Sequence, residues 1–519
     1  MLLCKPQINN EPTDEFYELA CSEVEIPDRI WQRHIFWNYN VNKLFIPTSV
    51  DTKLESREGN GKISFELILP WADVRPYHPW ISDGIGFNLS FVKAVEPEGT
   101  VWYQAVDDNS GREFSKRLYV PLRFRKPELK GDPQTFVATK EGHITEGQSL
   151  NATAVTISNK TVTENVNVFL GTGETLGMRE LTSYECQPGI TKKEFSLNST
   201  QLIEGAYTIC WNYQNKDSRG STGLSVLQKF DEPELYNRLE KNSKHISKGS
   251  YNTIQFMIKE LKGKIESLKT YETCVNERIA LTNLMRMINL SDRGVDPFDD
   301  MRGFIRKAYQ SKIDNSFQPY MVYLPENFDK SRKYPLMIFL HGSASDETNI
   351  QAVLSIIPKD FIAVGPFGRG KSNGFTMDHA QDDIAEVITA VEEDYSIDTT
   401  KILLTGFSMG GYGVYRTYYE TPTRYKALAI FSGTPSVSIK NAPDFVDEKN
   451  LASFRNIPVF IFHGEKDMNC PASITKDVAE KLKKYGAQVE LQIDPEKGHE
   501  RPDDKTLDSY LKWVDRVLK

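Results

Sequence analysis

An apolar strand that runs into a glycine-framed serine constrains this chain more than any other feature: Lys401-Ile-Leu-Leu-Thr-Gly406-Phe407-Ser408-Met409-Gly410-Gly411. G-x-S-x-G after a buried-type strand forces the serine onto a sharp strand-to-helix turn, its hydroxyl exposed and its neighbours shrunk to glycine. Five positions are too few to carry the reading alone. The context adds weight: the strand precedes, a small-residue helix start follows, and two further polar groups arrive downstream.

From about residue 300 the chain alternates strand and helix patterns. Leu336–Leu340, Phe361–Val364, Ile402–Leu404, Ala427–Ile430 and Val459–Phe462 are continuous apolar runs, suited to parallel strands buried on both faces. Helical segments from Asp382 to Glu393 and from Ile474 to Tyr485 lie between them. The spacing predicts a doubly wound α/β domain over 300–519, with its site at the carboxyl ends of the strands.

The front of the chain reads differently. Residues 1–126 have the short, turn-punctuated strands of an all-β sandwich module, among them Leu44–Ile46, Ile63–Leu69 and Leu118–Val120. Lys126–Pro133 reads as a linker. Residues 134–228 carry a second β unit, with Ala152–Ile157, Val166–Phe169 and Ala206–Trp211 as strands; its size and spacing suggest an immunoglobulin-like sandwich. Cys186 and Cys210 fall in that unit, either as a disulfide or as two buried thiols. Residues 229–299 change to a helical period. Ile254, Ile258 and Leu261, then Leu281, Leu284 and Ile288, make stripes that predict an αα-hairpin connector. A chain of 519 residues is expected to hold several such cores.

A serine hydroxyl needs an adjacent base, and the base an orienting acid. Only His463 and His499 follow Ser408. His499 sits in the polar loop Asp494-Pro-Glu-Lys-Gly498-His499, after the strand Gln488–Ile493 and before the last helix. Asp467 lies just beyond a strand end in His463-Gly-Glu-Lys-Asp467. The order Ser408, Asp467, His499 is that of one known triad arrangement. Asp494 competes for the acid role but lies too near His499 in sequence. His341 and His463 read as structural or as supports behind the catalytic groups, and Asp382 and Asp383 as caps of the helix they open. The oxyanion donors are expected from the Met409 N–H at the start of the helix after the serine, and from Gly342 or Ser343 in the loop His341-Gly342-Ser343.

These blocks, together with Tyr320-Met-Val-Tyr-Leu-Pro325 and Tyr334–Gly342, resemble in order an α/β-hydrolase of the esterase and prolyl-oligopeptidase-like group. The resemblance implies Ser408 as nucleophile, His499 as base and then acid, and Asp467 as the orienting carboxylate. No metal or organic cofactor is implied.

Substrate is addressed by the front of the chain. Trp31, Trp37, Trp71, Trp80 and Trp102 lie within the first 102 residues, and aromatic faces either stack on sugar rings or fill a small core. The block from Ile63 to Asn88 is similar to the later strands of family 9-type carbohydrate-binding modules, the earlier strands being short or missing, as if the chain began inside the module. On this reading Trp71, Trp80 and Trp102 are candidate sugar contacts. A β unit beside an esterase domain also resembles secreted bacterial esterases. The expected activity is a serine carboxylesterase acting on feruloyl or acetyl esters of plant-type carbohydrate. The alternatives are a prolyl-oligopeptidase-like peptidase and a non-catalytic carbohydrate-binding protein. A net charge of -8 argues against nucleic acid as a partner, and no apolar run is long enough to span a bilayer. A secreted or periplasmic location with the leader absent is expected, the cytoplasm being the alternative; the oligomeric state is left open.

Overall fold

The computed structural model describes residues 2–4, 16–24, 30–37, 44–47, 53–59, 62–69, 84–95, 99–104, 120–125, 133–139, 143–170, 177–198, 202–213, 216–266 and 271–518. The chain divides into two compact units. One holds Met1–Asp231 with Glu260–Asn283, the other Glu232–Lys259 with Leu284–Lys519.

The first unit is built from β-strands and part of a helical pair. Six strands form one antiparallel sheet in the order Val120–Arg123, Gly84–Asn88, Leu2–Cys4, Phe16–Val24, Ile30–Trp37, Leu44–Pro47. Further along, a three-stranded sheet (Gln134–Thr139, Ser149–Ser158, Gly189–Asn198) and a five-stranded sheet share a core. Ala152, Ala154 and Leu197 from the first meet Ile209, Trp211, Leu224 and Val226 from the second. The Trp211 indole N–H donates to the Thr135 carbonyl across this core at 2.8 Å. Ladder register settles the two cysteines. On the shared strand Val162–Leu170, Cys186 lies opposite Val162 and Cys210 opposite Asn167. Five residues of strand are about 16 Å, far beyond the ~7 Å Cα separation a disulfide tolerates, so the pairing considered from sequence does not form.

The second unit contains the eight-stranded sheet. Its strands are β1 (Gly303–Gln310), β2 (Phe317–Leu324), β3 (Tyr334–Leu340), β4 (Ile362–Pro366), β5 (Ile397–Phe407), β6 (Ala427–Phe431), β7 (Pro458–Gly464) and β8 (Gln488–Asp494). Their order is β1-β2-β4-β3-β5-β6-β7-β8. β2 is antiparallel to both neighbours, and β4 to β8 pair in parallel. Alternate residues of the central strands face opposite sides, and both sides are buried. Met337, Phe339, Leu403, Ala429 and Phe460 pack with Tyr510, Trp513 and Val514 on one side. Leu336, Ile338, Leu404 and Ile430 are fully covered on the other. The continuous apolar runs follow from this double burial.

The helices are α1 (Glu232–Lys241), α2 (Lys248–Glu266), α3 (Tyr271–Asp292), α4 (Ala380–Asp394), α5 (Met409–Glu420), α6 (Ala472–Lys484) and α7 (Asp504–Leu518). In α4, Ile384, Val387, Ile388 and Val391 recur at helical spacing and are buried. The predicted stripes on α2 and α3 are likewise buried at Ile254, Ile258, Leu281, Leu284 and Ile288. The segment expected as a connector is divided between the units. Its part within the second unit meets β1, where the Ala308 N–H donates to Thr253 Oγ1 at 3.1 Å, and is tied to the turn before β1, where Ser250 Oγ donates to Asp296 at 2.8 Å.

One expectation fails at the start of α4. Its N-cap is His379, in left-handed backbone conformation and without a side-chain cap bond. Asp382 stays at the surface beside His379, while Asp383 turns inward and is completely buried. Neither acts as a cap.

Candidate active site

Ser408 stands where β5 ends and α5 begins, at φ 56° and ψ -117°. A non-glycine residue held in such a conformation is strained and persists only where its surroundings over-determine it. The surroundings here are backbone. A methyl group on Gly406 would sit 2.2 Å from the Gly410 carbonyl oxygen, and one on Gly410 would sit 1.9 Å from that of Leu340. Both glycines are therefore required by the close approach of α5 to β3 and β5. The Ser408 N–H is tied to the Phe431 carbonyl on β6 at 3.0 Å.

The three residues picked from sequence come together. His499 Nε2 lies 2.8 Å from Ser408 Oγ, and His499 Nδ1 lies 2.8 Å from Asp467 Oδ2. The Asp467 side chain is fully buried and that of His499 is 19% exposed, so the acid is shielded from water while the imidazole edge can be reached. Asp467 Oδ1 accepts two backbone N–H groups, from Asn469 at 2.9 Å and Cys470 at 2.8 Å. The carboxylate acceptor fixes the proton on His499 Nδ1. Nε2 is then left as a lone pair aimed at the serine hydroxyl, an arrangement that can take the serine proton as a bond to carbon forms.

His463, read from sequence as structural or as a support behind the catalytic groups, lies directly beside Asp467. It is fully buried; its Nε2 lies 2.6 Å from the Cys470 carbonyl and 3.2 Å from Asp467 Oδ2. A carbonyl oxygen only accepts, so Nε2 carries the hydrogen. Nδ1 then accepts from Thr475 Oγ1 at 3.1 Å. Burial pushes its pKa below the ordinary histidine value, against the opposing pull of Cys470 and Asp467. The ring is thus a neutral donor set behind Asp467. The sequence signal was present in the four-residue step from His463 to Asp467 across a strand end.

The loop after β3 borders the serine. A methyl on Gly342 would lie 3.7 Å from Ser408 Cβ and 3.4 Å from the Phe407 ring. Met409 opens α5, where an N–H has no acceptor within the helix and the dipole is positive. His341 is buried beneath the loop, its ring nitrogens facing the carbonyls of Gly342 (2.8 Å) and Phe367 (3.0 Å). Ser343 is exposed, its Oγ 2.8 Å from Ser372 Oγ, and the Ala344 N–H donates to the same Ser372 oxygen at 3.0 Å. Ser372, which sequence reading passed over, therefore latches this loop to the segment after β4.

That segment is itself anchored. The Tyr309 hydroxyl donates to Asp383 Oδ1 at 2.5 Å and the Gly368 N–H to Oδ2 at 2.7 Å. Desolvation pushes the Asp383 carboxyl up to about 6 in spite of both donors. The Phe375 and Tyr412 side chains are completely buried. Among the described residues no group of three or more His, Cys, Asp or Glu could hold a metal ion, and no helix is long and apolar enough to cross a membrane. Trp71 and Trp80 lie outside the described residues; Trp102 falls on the strand Gly99–Gln104, its side chain outside the description.

The family model described as Phospholipase/Carboxylesterase matches residues 367–515. Dipeptidyl-peptidase 5 of Porphyromonas gingivalis is 22% identical over 258 residues, 41% of this chain and 38% of that protein. The bifunctional acetylxylan esterase/xylanase XynS20E of Neocallimastix patriciarum is 26% identical over 152 residues, 28% of this chain and 21% of the other. Probable feruloyl esterase C of Aspergillus terreus is 29% identical over 125 residues, 22% of this chain and 46% of that protein. The chain spans less than half the length of these curated relatives.

Proposed function

From a C-terminal unit that is an α/β-hydrolase of the serine type, we propose that this protein is a carboxylesterase that removes feruloyl or acetyl groups from plant-type carbohydrate. The observation that carries the reading is the hydrogen-bonded line Asp467–His499–Ser408 on a strained strand-to-helix turn. Ser408 Oγ attacks the ester carbonyl carbon as its proton passes to His499 Nε2. The carbonyl oxygen, now negative, is held by the N–H of Met409 and that of Gly342 or Ser343; losing one such donor costs about 2.7–4 kcal/mol of transition-state stabilisation. The alcohol leaves with the proton from His499, and the acyl group remains on Ser408. Water then attacks the acyl-serine, giving its proton to His499, and the acid departs as Ser408 regains its hydrogen. Asp467 holds the imidazole tautomer and balances its transient charge.

The choice of acyl group is supported by the similarity to acetylxylan and feruloyl esterases. The same reading takes the tryptophan-rich front of the chain as carbohydrate-facing, with Trp71, Trp80 and Trp102 as contacts, and takes the protein as exported. A peptidase reading is favoured by one observation, the similarity to a dipeptidyl-peptidase over 41% of the chain. Initial rates on p-nitrophenyl acetate, methyl ferulate, acetylated xylan and Gly-Pro-p-nitroanilide separate the two. Ester turnover is expected to fall at least about 10⁴-fold in Ser408→Ala. Cleavage of the anilide alone would transfer the site to peptidase chemistry, and loss of no activity in the variant would remove Ser408 from the reaction.

A further inference from the structure

Arg501 follows His499 by two residues, and its place is not explained by the hydrolytic machinery. Its guanidinium carbon lies 5.7 Å from the centroid of the Phe407 ring. The same ring packs against His499 with centroids 5.2 Å apart and lies beside Gly342 of the loop bordering Ser408. One aromatic side chain, adjacent in sequence to Ser408, therefore gathers the imidazole, that loop and a permanent cation. Arg501 Nη1 donates to the Ala352 carbonyl, on the helical turn segment Glu347–Ile356.

Three cations on neighbouring loops have carboxylate partners: Lys371 with Asp346, Lys466 with Glu496, Lys497 with Glu500. Arg501 has none among the described residues, and its Nε–Nη2 edge has no protein acceptor there. That edge is the flat fork that suits a carboxylate. Burial lowers the Arg501 pKa from its ordinary value, so the charge is partly withdrawn from water with the Ala352 carbonyl and the Phe407 ring, but no carboxylate among the described residues, to offset it. Such a cation gains from an anion arriving with a ligand, and does so more than a fully solvated one.

We propose that Arg501 is a specificity residue that binds a carboxylate carried by the ester substrate close to the scissile bond. The carboxylate has two possible sources, the acyl part as in a dicarboxylic half-ester, or the alcohol part as in a uronic acid-bearing oligosaccharide. The proposal rests on the serine esterase reading above.

The test compares wild type, Arg501→Gln and Arg501→Lys on matched esters. The acyl arm sets p-nitrophenyl hemisuccinate against p-nitrophenyl butyrate. The alcohol arm sets acetylated xylo-oligosaccharide with a glucuronic acid branch against the unbranched one. In one arm, Arg501→Gln is expected to lose at least about tenfold more kcat/KM on the anionic ester than on its neutral partner, chiefly through KM. Arg501→Lys should fall between, since it keeps the charge and loses the fork. The arm that responds names the source. Equal losses on both members in both arms would overturn the proposal and leave Arg501 as a latch to Ala352. If wild type turns over no ester, the esterase reading fails by itself. Succinate alone then decides the inference: at fixed ionic strength it must raise the unfolding midpoint of wild type and not that of Arg501→Gln, and no difference overturns it.

Discussion

A buried carboxylate can orient an imidazole only if its own oxygens are held, and Asp467 is held by three donors. Two are backbone N–H groups and the third is His499, while His463 Nε2, bonded to the Cys470 carbonyl, stands 3.2 Å from Oδ2. Taking away His463 leaves the Cys470 carbonyl without its donor and removes a fully buried ring from beside Asp467, and an unmet buried hydrogen bond costs about 1–3 kcal/mol. His463→Phe is therefore expected to lower kcat on the order of tenfold while KM moves less than about threefold, because the loss falls on the orientation of the base. His463→Gln, whose amide can still donate to Cys470, should recover much of kcat. Steady-state rates on p-nitrophenyl acetate read both, and equal behaviour of the two variants would show that only volume matters there. The meeting of Ser408, Asp467 and His499 was legible because a hydrogen-bonded acid, base and hydroxyl call for three residue types, here in a known chain order. A supporting place for His463 was legible too, but its bond to the Cys470 carbonyl was not, since the turn after β7 decides which backbone oxygen meets the ring.

Elements were legible where burial is uniform. β3, β4, β6 and β7 are covered on both faces and end within two residues of the predicted apolar segments, whereas β5 begins five residues before its predicted run, through Asp398 and the exposed Thr399 and Thr400. β1 escaped notice because it carries Arg306 and Lys307. Lys307 is nonetheless buried, paired with Asp394 on α4 and faced by the rings of Phe298 and Tyr395; a partner 87 residues away leaves no local trace. The glycines of α5 show how finely the elements fit. A methyl on Gly410 meets the backbone oxygens of Leu340 and His341, whereas one on Gly413 meets side-chain atoms of Leu340 and Phe375 at 2.8 Å. Side chains can turn aside and backbone cannot. An alanine also favours a helix interior over glycine by about 1 kcal/mol, which partly offsets the crowding at Gly413. Gly410→Ala is expected to lower the thermal midpoint by several degrees more than Gly413→Ala, corresponding to roughly 1–3 kcal/mol of overpacking. Parallel unfolding scans check the order, and the reverse order would mean that α5 can slide on β3.

At the scale of the whole molecule, each unit has its own core, and the C-terminal unit contains a titratable group buried at full depth. Asp383 reads in the sequence as an ordinary acid at a helix start, because nothing local shows that Tyr309 on β1 and Gly368 after β4 will close over it. The folded pKa of about 6 lies above the unfolded value near 3.9. Between those values the folded unit binds more protons than the unfolded one. Its stability contribution is therefore complete below about pH 4 and is lost as pH rises through about 6. About two pKa units correspond to roughly 3 kcal/mol. Asp383→Asn cannot ionise, so the difference in stability between wild type and variant should drift by that order between pH 4 and 7, with wild type gaining toward acid. The variant also loses one of two hydrogen bonds, a constant offset that leaves the drift untouched. Hydrogen exchange of the β3 to β7 amides reads the C-terminal unit separately from the other, and exchange differences that stay flat across this range would mean that water reaches Asp383. Because the same carboxylate anchors the segment that latches Ser343 and Ala344 through Ser372, the exchange of that loop should follow the same pH course as the sheet beneath it.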